Sequence, residues 1–166
     1  IHFVAASRPV PEGGEHLMDC TSFPVCSAAL VQHAAHPIRV PEDLAHHVRL
    51  DYESLRDGRR VSEWDFWFDA MKVRRVAPAS TLWLPQYDQL VAAAIEGSGV
   101  AVAVLPHVAQ HVRQGVLLAP FGPARVARRG AFFLIARDDP GKRDGIRAFI
   151  VWLRNEVDEE PVPMPG

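Results

Sequence analysis

The amino-acid sequence predicts an α/β fold with a parallel sheet. Residues 83–106 read as a strand, a helix and a second strand with almost no loop between them. The second strand, residues 100–105, is a continuous aliphatic run, which is typical of a strand covered on both faces in a parallel sheet. A further run of this kind, AFFLIA, covers residues 131–136. Such strands, separated by helical patterns, indicate helices packed on a mainly parallel sheet.

The helix of the central segment has clear start and stop signals. Residues 80–84 form an apolar, β-prone run that stops at Pro85. Proline lacks the N–H that a strand donates, and its fixed φ suits the first turn of a helix. From Tyr87 onward, apolar residues recur at three- and four-residue spacing, and Gly97 and Gly99 then supply the permissive backbone that ends a helix.

The turn between this strand and this helix is a candidate binding site. In open α/β sheets, ligands lie beyond the carboxyl ends of strands, where helix N-termini present free N–H groups to anions. Pro85, Gln86 and Tyr87 occupy that position in the sequence. The alternative is an ordinary packing turn that holds no ligand.

The other elements follow from the same patterns of apolar spacing and chain-breaking residues. The remaining predicted strands are residues 1–6, 17–20, 23–27, 47–52 and 116–119, and the remaining predicted helices are 27–36, 63–71, 106–114 and 145–157. Residues 53–60 and the basic stretch 120–130 are expected to be loops, and the Pro-rich tail 158–166 is expected to be disordered. Because residues 1–6 already read as the interior of a strand, without an initiator Met, we interpret the chain as a fragment.

Composition excludes several classes of protein. The 166 residues suffice for one ordinary domain or two small lobes, and 18 basic against 20 acidic residues give no global attraction to nucleic acid. The two cysteines, Cys20 and Cys26, are too few for a disulfide scaffold, so we expect buried thiols in a reducing compartment. No stretch is long and apolar enough to span a membrane and no signal peptide is present, which predicts a cytoplasmic location.

Metal binding is the first chemistry that the eight histidines suggest. His107 and His111 stand four residues apart on a predicted helix, close enough to share a metal. However, no third ligand has a defined spacing, and the acidic residue of a zinc-protease motif is missing. The pairs His33/His36 and His46/His47 lie in polar stretches that we expect to be exposed. The sequence therefore predicts no metal site.

No residue in the sequence has the surroundings expected of a catalytic group. Nothing near Cys26 would lower its pKa, and a free cysteine of this kind is usually buried and inert. The glycines around Ser98 follow a helix and precede a strand, which is the wrong polarity for a dinucleotide-binding loop. The sequence thus predicts no cofactor, no catalytic residue and no enzyme.

Five sequence blocks, taken in order, resemble the effector-binding domain of LysR-type transcriptional regulators, in the branch that includes the glycine-cleavage activator. The blocks are FPVCSAALV at residues 23–31, IRVPEDLAHHVRLDY, WDFWFDAM, LPQYDQLVAAAIEGSGVAVAVLPHV, and AFFLIARDD followed by FIVWLRNEV. The resemblance covers nearly all of residues 1–157. It implies a fold like that of type 2 periplasmic binding proteins, with two α/β lobes joined by two crossover strands and a small effector in the cleft between them.

Carried onto this chain, the resemblance assigns residues 1–157 to these parts. The crossover strands would be residues 23–27 and 131–136, and residues 28–130 would form the second lobe. Residues 1–22 and 137–157 would be the remnant of an incomplete first lobe. The matching positions imply effector contacts from Pro85, Gln86 and Tyr87, and from Val25, Cys26 and Ser27 of the first crossover.

The function that the resemblance implies is effector sensing in a bacterial transcription factor. The effector would be an amino acid or a small organic acid, and its binding would alter the geometry of a homodimer or homotetramer. DNA would be bound only through an N-terminal winged helix-turn-helix that this sequence lacks, and no membrane partner is expected. The alternative is a type 2 solute-binding protein of a transport system, which would have the same bilobal fold.

Overall fold

The computed structural model describes residues 2–6, 12–33, 35–56, 58–122, 126–136 and 143–159. The chain divides into two compact units. Among the described residues, the first unit comprises those of 2–21 and 128–159, and the second comprises those of 22–127. Strand β2 (Gly14–Ser27) and strand β9 (Ala127–Ile135) therefore each run from one unit into the other along the chain.

Among the described residues, the first unit contains one whole strand, parts of two others and one helix. Strand β1 (His2–Ala6) pairs antiparallel with β9, from His2 opposite Ile135 to Ala6 opposite Ala131. Strand β9 is in turn the neighbour of β2. Helix α5 (Arg143–Glu159) closes the described part of this unit. The helix runs two residues into the tail predicted to be disordered, and residues 160–166 lie outside the described part of the chain.

The second unit contains the predicted parallel strands. Strand β3 (Val48–Tyr52) lies between β6 (Ser80–Leu84) and β7 (Val100–Leu105) and is parallel to both, which confirms that prediction. All six residues of β7 are buried, as the aliphatic run requires. Beyond β7 lies β2, and β2 pairs antiparallel with the two-residue strand β8 (Leu117–Leu118).

Helix α2 (Glu63–Met71) supplies the core of the second unit. Ser62 caps it, because the Ser62 hydroxyl accepts a hydrogen bond from the backbone N–H of Trp64 at 3.2 Å. Trp64, Trp67 and Phe68 form its buried face. They pack with buried residues from four other segments, which are Cys26, Ile38, Leu44, Val100, Val102 and Ala127. Helix α3 (Tyr87–Ile95) packs against β3 and β7 and buries Leu90 and Ala94.

Several predicted boundaries differ from the structure. The two strands predicted over 17–20 and 23–27 are one strand, β2, because Thr21 and Ser22 continue the extended backbone that burial favours. The second predicted crossover strand, 131–136, starts earlier, at Ala127. The predicted loop 53–60 contains a hairpin of β4 (Ser54–Arg56) and β5 (Arg59–Val61).

Two predicted helices are shorter than expected. Helix α1 covers only Ala28–Val31 instead of 27–36. Beyond it, the backbone N–H of His36 donates to the His33 ring and not to a helical carbonyl, so the chain is no longer helical there. Helix α4 covers Ala109–Arg113 instead of 106–114, and Pro106 begins a turn that leads into it.

A buried carboxylate lies at the start of α2. Asp51 on β3 is 1% exposed, the Ser62 hydroxyl donates to its Oδ2, and the backbone N–H of Glu63 donates to its Oδ1 at 3.4 Å. Burial raises the pKa of Asp51 to about 6, against the smaller lowering effects of the Ser62 hydrogen bond and the Arg49 charge. Asp51 thus positions the first turn of α2, but its carboxylate charge is destabilised because it is buried away from water.

We expect Asp51 to make stability fall as pH rises towards neutrality. Above the unfolded pKa of about 3.9 the unfolded chain releases the proton that the folded chain retains until about pH 6. The free energy of unfolding should therefore drop by about 2 kcal/mol between roughly pH 4.5 and pH 7 from this group alone. In Asp51→Asn, the free energy of unfolding measured by urea titration should not show this decrease with pH. If the free energies of unfolding of the two proteins changed equally with pH, the raised pKa of Asp51 would be contradicted.

Candidate functional site

The carboxyl ends of the three parallel strands meet at one edge of the second unit. Because β3 and β6 are in register from Val48 opposite Ser80 to Tyr52 opposite Leu84, both strands end at the same level. The backbone N–H of Glu53 continues this alignment by donating to the Leu84 carbonyl at 2.8 Å. We call this region the carboxyl edge, and it comprises Tyr52, Glu53, Pro85, Gln86, Tyr87, Pro106 and His107.

Tyr87 is the central side chain of the carboxyl edge. Its hydroxyl accepts a hydrogen bond from the backbone N–H of Val104 at 2.8 Å, which ties the start of α3 to the end of β7. The Tyr87 ring meets Tyr52 edge-to-face at 5.8 Å and His107 at 5.4 Å between ring centroids. Three rings, one at or just beyond the carboxyl end of each parallel strand, therefore form a continuous row. Tyr52 and Tyr87 are half-buried and His107 is exposed, and such rings offer both apolar contact and polar atoms to a small ligand.

Gln86 and Pro85 lie beside this row and are both exposed. Gln86 is the N-cap residue of α3, with an extended backbone, and its carbonyl accepts from the N–H of Leu90 at 3.2 Å. Its side chain makes no capping hydrogen bond. The first N–H groups of a helix have no partners within the helix, so the start of α3 can receive an anion.

Val25, Cys26 and Ser27 lie elsewhere in the second unit, and all three are buried. Strand β2 ends at Ser27, and β7 begins three residues after Gly97. The Ser27 Oγ would lie 3.0 Å from a Cβ placed on Gly97, so the end of β2 is close to the start of β7. Strands β2 and β7 are neighbours in the sheet. Because the end of β2 lies near the start of β7, the two strands can lie side by side only if they run in opposite directions. Ser27 is therefore at the amino end of β7, and Val104 is at least roughly 13 Å further along at 3.3 Å per residue.

Cys26 does not have the properties of a nucleophile. Burial raises the pKa of its thiol to about 12, so the reactive thiolate is negligible at neutral pH. Cys20 is buried as well, and neither cysteine is in a disulfide. Both behave as small core side chains, which is the role that the sequence predicted.

Three residues of this region were not among the effector contacts predicted from the sequence: Tyr52, His107 and Ser22. Tyr52 is the last residue of a predicted strand and His107 lies two residues after another, and this position at the strand ends was the signal that could have found them. Ser22 stands five residues before Ser27, which in an antiparallel β2 places it towards the carboxyl end of β7. Its side chain is fully buried, and its Oγ has no hydrogen-bond partner among the described residues. A buried hydroxyl without a partner is uncommon in folded proteins.

A charged and aromatic group borders the carboxyl edge. Arg60 on the hairpin donates from Nη2 to Glu53 Oε1 at 2.9 Å, and its guanidinium lies 4.6 Å over the Trp83 ring. All of these side chains are partly exposed, so the ion pair contributes little stability. The arrangement places a hairpin, rather than an irregular loop, beside the candidate site.

Within the described residues, no three or more His, Cys, Asp or Glu side chains are grouped so as to hold a metal. His107 belongs to the turn before α4 and His111 to the helix itself, so the two are not on one helical face as predicted. In the described part of the chain, no helix combines the length and apolarity needed to cross a lipid bilayer.

Comparison with known proteins identifies the family. The family model described as LysR substrate binding domain matches residues 3–158. The chain therefore belongs to the LysR substrate-binding-domain family, and the predicted resemblance is confirmed.

The curated relatives include transcription regulators of Escherichia coli strain K12. The glycine cleavage system transcriptional activator is 29% identical over 131 residues, covering 79% of this chain and 40% of the relative. The HTH-type transcriptional regulator DsdC is 31% identical over 143 residues, covering 85% of this chain and 45% of the relative. The chain thus spans less than half the length of these relatives.

Solved structures show the fold. The AmpR effector-binding domain from Citrobacter freundii aligns with a TM-score of 0.68 at 18% identity, over 95% of this chain and 74% of that one. The C-terminal domains of a LysR family protein from Agrobacterium tumefaciens align with a TM-score of 0.62 at 21% identity, over 99% and 74%. The predicted α/β fold of the type 2 periplasmic-binding-protein kind is confirmed.

Proposed function

We propose that this chain is the effector-sensing part of a bacterial, cytoplasmic, LysR-type transcription regulator and that its effector contacts the carboxyl edge of the second unit. The location rests on the row of Tyr52, Tyr87 and His107, which lies at the carboxyl ends of three parallel strands, where α/β sheets bind ligands. The match to the family over residues 3–158 supports the regulatory role.

The start of α3 favours an anionic effector. The positive end of the α3 dipole and the exposed Gln86 amide suit a carboxylate, while the ring row suits a small apolar portion of the same molecule. An amino acid or a small organic acid has both parts. Pro85 completes the turn, and Val25, Cys26 and Ser27 remain weaker candidates because they lie at the other end of β7.

The proposed mechanism is allosteric and involves no bond-making chemistry. An effector that binds one arrangement of the protein more tightly shifts the population towards it, and this shift changes the spacing of DNA-binding domains in a homo-oligomer. DNA contact would come from a winged helix-turn-helix outside this sequence. The transport alternative is not favoured by the two curated relatives described above, each of which is named as a transcriptional activator or regulator.

We expect Gln86→Ala and Tyr87→Ala to weaken effector binding about tenfold each, the effect of losing one hydrogen bond or ring contact. A thermal-shift panel of amino acids and small organic acids identifies the ligand, because binding to the folded state raises its melting temperature. Isothermal titration then measures affinity. Tyr87→Ala also loses the Val104 hydrogen bond, so circular dichroism must show that it is folded.

Gln110→Ala is the matched control, since Gln110 is exposed on α4 and lies outside the carboxyl edge. Its affinity should equal that of the unmodified chain. Unchanged affinity in both Gln86→Ala and Tyr87→Ala would refute the proposed location, and a panel without any ligand among these compounds would refute the proposed effector class.

A further inference from the structure

The carboxyl edge contains a carboxylate that the proposed effector contacts do not include. Glu53 directly follows β3, and its backbone N–H donates to the Leu84 carbonyl at the end of β6. Because neighbouring strands lie roughly 5 Å apart, the Glu53 backbone lies beside the turn of Pro85 and Gln86 that begins α3. Glu53 is the acidic member of the carboxyl edge, and it therefore borders the place where we expect the effector carboxylate.

Arg60 holds the Glu53 carboxylate in position. Arg60 donates from Nη2 to Glu53 Oε1 at 2.9 Å, and its guanidinium lies 4.6 Å from the centroid of the Trp83 ring. Arg60 belongs to β5, which is paired with β4 along its whole length, so the arginine stands on a hydrogen-bonded hairpin. The Glu53 side chain is thus restrained at its backbone by β6 and at its carboxylate by Arg60.

Part of the hydrogen-bonding capacity of Glu53 is unused. A carboxylate has two oxygens with about four acceptor positions, and the contact with Arg60 uses only Oε1. Among the described residues, Glu53 Oε2 has no hydrogen-bond partner. The Glu53 side chain is 45% exposed, so a solute can reach it. An ionised acceptor that is held in place and accessible suits a cationic donor.

Glu53 and the start of α3 together match the two charges of an α-amino acid. The helix start and the Gln86 amide suit its carboxylate, and Glu53 offers an acceptor of opposite charge one strand spacing away. The ammonium and carboxylate groups of an α-amino acid are attached to the same carbon, so their partners must also lie close together. An α-hydroxy acid has the same carboxylate and carbon skeleton but a neutral hydroxyl in place of the ammonium group.

We propose that Glu53 determines specificity by accepting a hydrogen bond from the α-ammonium group of an amino-acid effector, and that Arg60 is a positioning residue that fixes the Glu53 carboxylate. This inference rests on the proposed effector site and narrows its ligands from amino acids and organic acids to α-amino acids. An organic acid without an amino group gains no such bond and brings its own negative charge close to Glu53, which disfavours its binding.

Matched pairs of ligands test this proposal on the intact chain. Each standard α-amino acid and its D enantiomer is compared with the α-hydroxy acid of the same carbon skeleton, such as alanine with lactate. Thermal shift identifies the pairs that bind, and isothermal titration measures the ratio of the two dissociation constants. The unmodified chain should bind the amino acid about tenfold more tightly or better, the effect of one charge-assisted hydrogen bond.

In Glu53→Gln this preference should fall to near one, through weaker binding of the amino acid and not of the hydroxy acid. The substitution should not unfold the chain, because an exposed ion pair contributes little stability. Arg60→Gln is a second variant and should reduce the preference less, since the carboxylate remains. Glu96→Gln is the matched control: it makes the same change of charge at an exposed position at the other end of α3 and should retain the full preference.

Equal binding of both members of each pair by the unmodified chain would overturn the role of Glu53 but not the effector site, if Gln86→Ala still weakens the compounds that bind. A preference that persists in Glu53→Gln would also overturn it. So would a preference that is lost instead in Asp88→Asn, which removes the carboxylate in the first turn of α3. The absence of any ligand among these compounds would refute this proposal together with the effector class.

Discussion

Replacement of Trp64 by alanine is expected to destabilise the second unit by about 4 kcal/mol, within the range for large-to-small changes in a packed core. The Trp64 side chain is fully buried and meets the rings of Trp67 at 5.9 Å and Phe68 at 5.7 Å. Its indole Nε1 donates to the Leu50 carbonyl of β3 at 3.0 Å. Alanine would remove this donor and leave a cavity between α2 and the sheet that its neighbours cannot fill.

Urea unfolding followed by far-ultraviolet circular dichroism measures this loss without depending on the deleted fluorophore. Trp152→Ala is the matched control, because Trp152 is 52% exposed on α5 and its loss should cost less than about 1 kcal/mol. Trp64→Phe should fall between the two, since it keeps an aromatic ring but loses the hydrogen bond. Equal midpoints for Trp64→Ala and Trp152→Ala would show that the Trp64 side chain is not a central part of the core.

Gly99→Ala is expected to destabilise the second unit by about 3 kcal/mol or more, the upper range for overpacking a tight site. A Cβ at Gly99 would overlap the carbonyl oxygen of Val48 and stand 3.0 Å from Cγ of Leu50. Gly99 immediately precedes β7, and β3 lies beside it. Because the nearest atom belongs to the backbone of a central strand, relief requires moving the β3–β7 pair rather than a side chain.

Gly145→Ala provides the comparison for this effect. A Cβ at Gly145 meets nothing within 4 Å, and the residue lies inside α5. Alanine should therefore stabilise that helix by about 0.5–1 kcal/mol. Thermal unfolding of both variants distinguishes a steric effect at Gly99 from a general effect of replacing glycine. A Gly99→Ala protein as stable as the unmodified chain would contradict the close approach of β7 to β3.

The candidate site was predictable in part. Pro85, Gln86 and Tyr87 could be placed at a strand end because proline, a helical repeat and a buried strand follow one another in the sequence. That the Tyr87 hydroxyl binds the N–H of Val104, or that its ring meets Tyr52 and His107, could not be predicted. These contacts depend on the order of strands across the sheet, because β3 lies between β6 and β7 in space although it precedes both of them in the sequence.

The sequence by itself determined the local elements and the family, because helix α2, strands β3, β6 and β7 and the intervening helix α3 are encoded by residues close together in the chain. Only the tertiary structure decided what depends on distant residues. Because β2 runs opposite to β7, Val25, Cys26 and Ser27 lie away from the carboxyl edge. The path of the segment after α1 brought His36 onto His46. Periodicity reports which face of an element is apolar, whereas pairing between strands and contacts between loops are set by the packing of the whole unit.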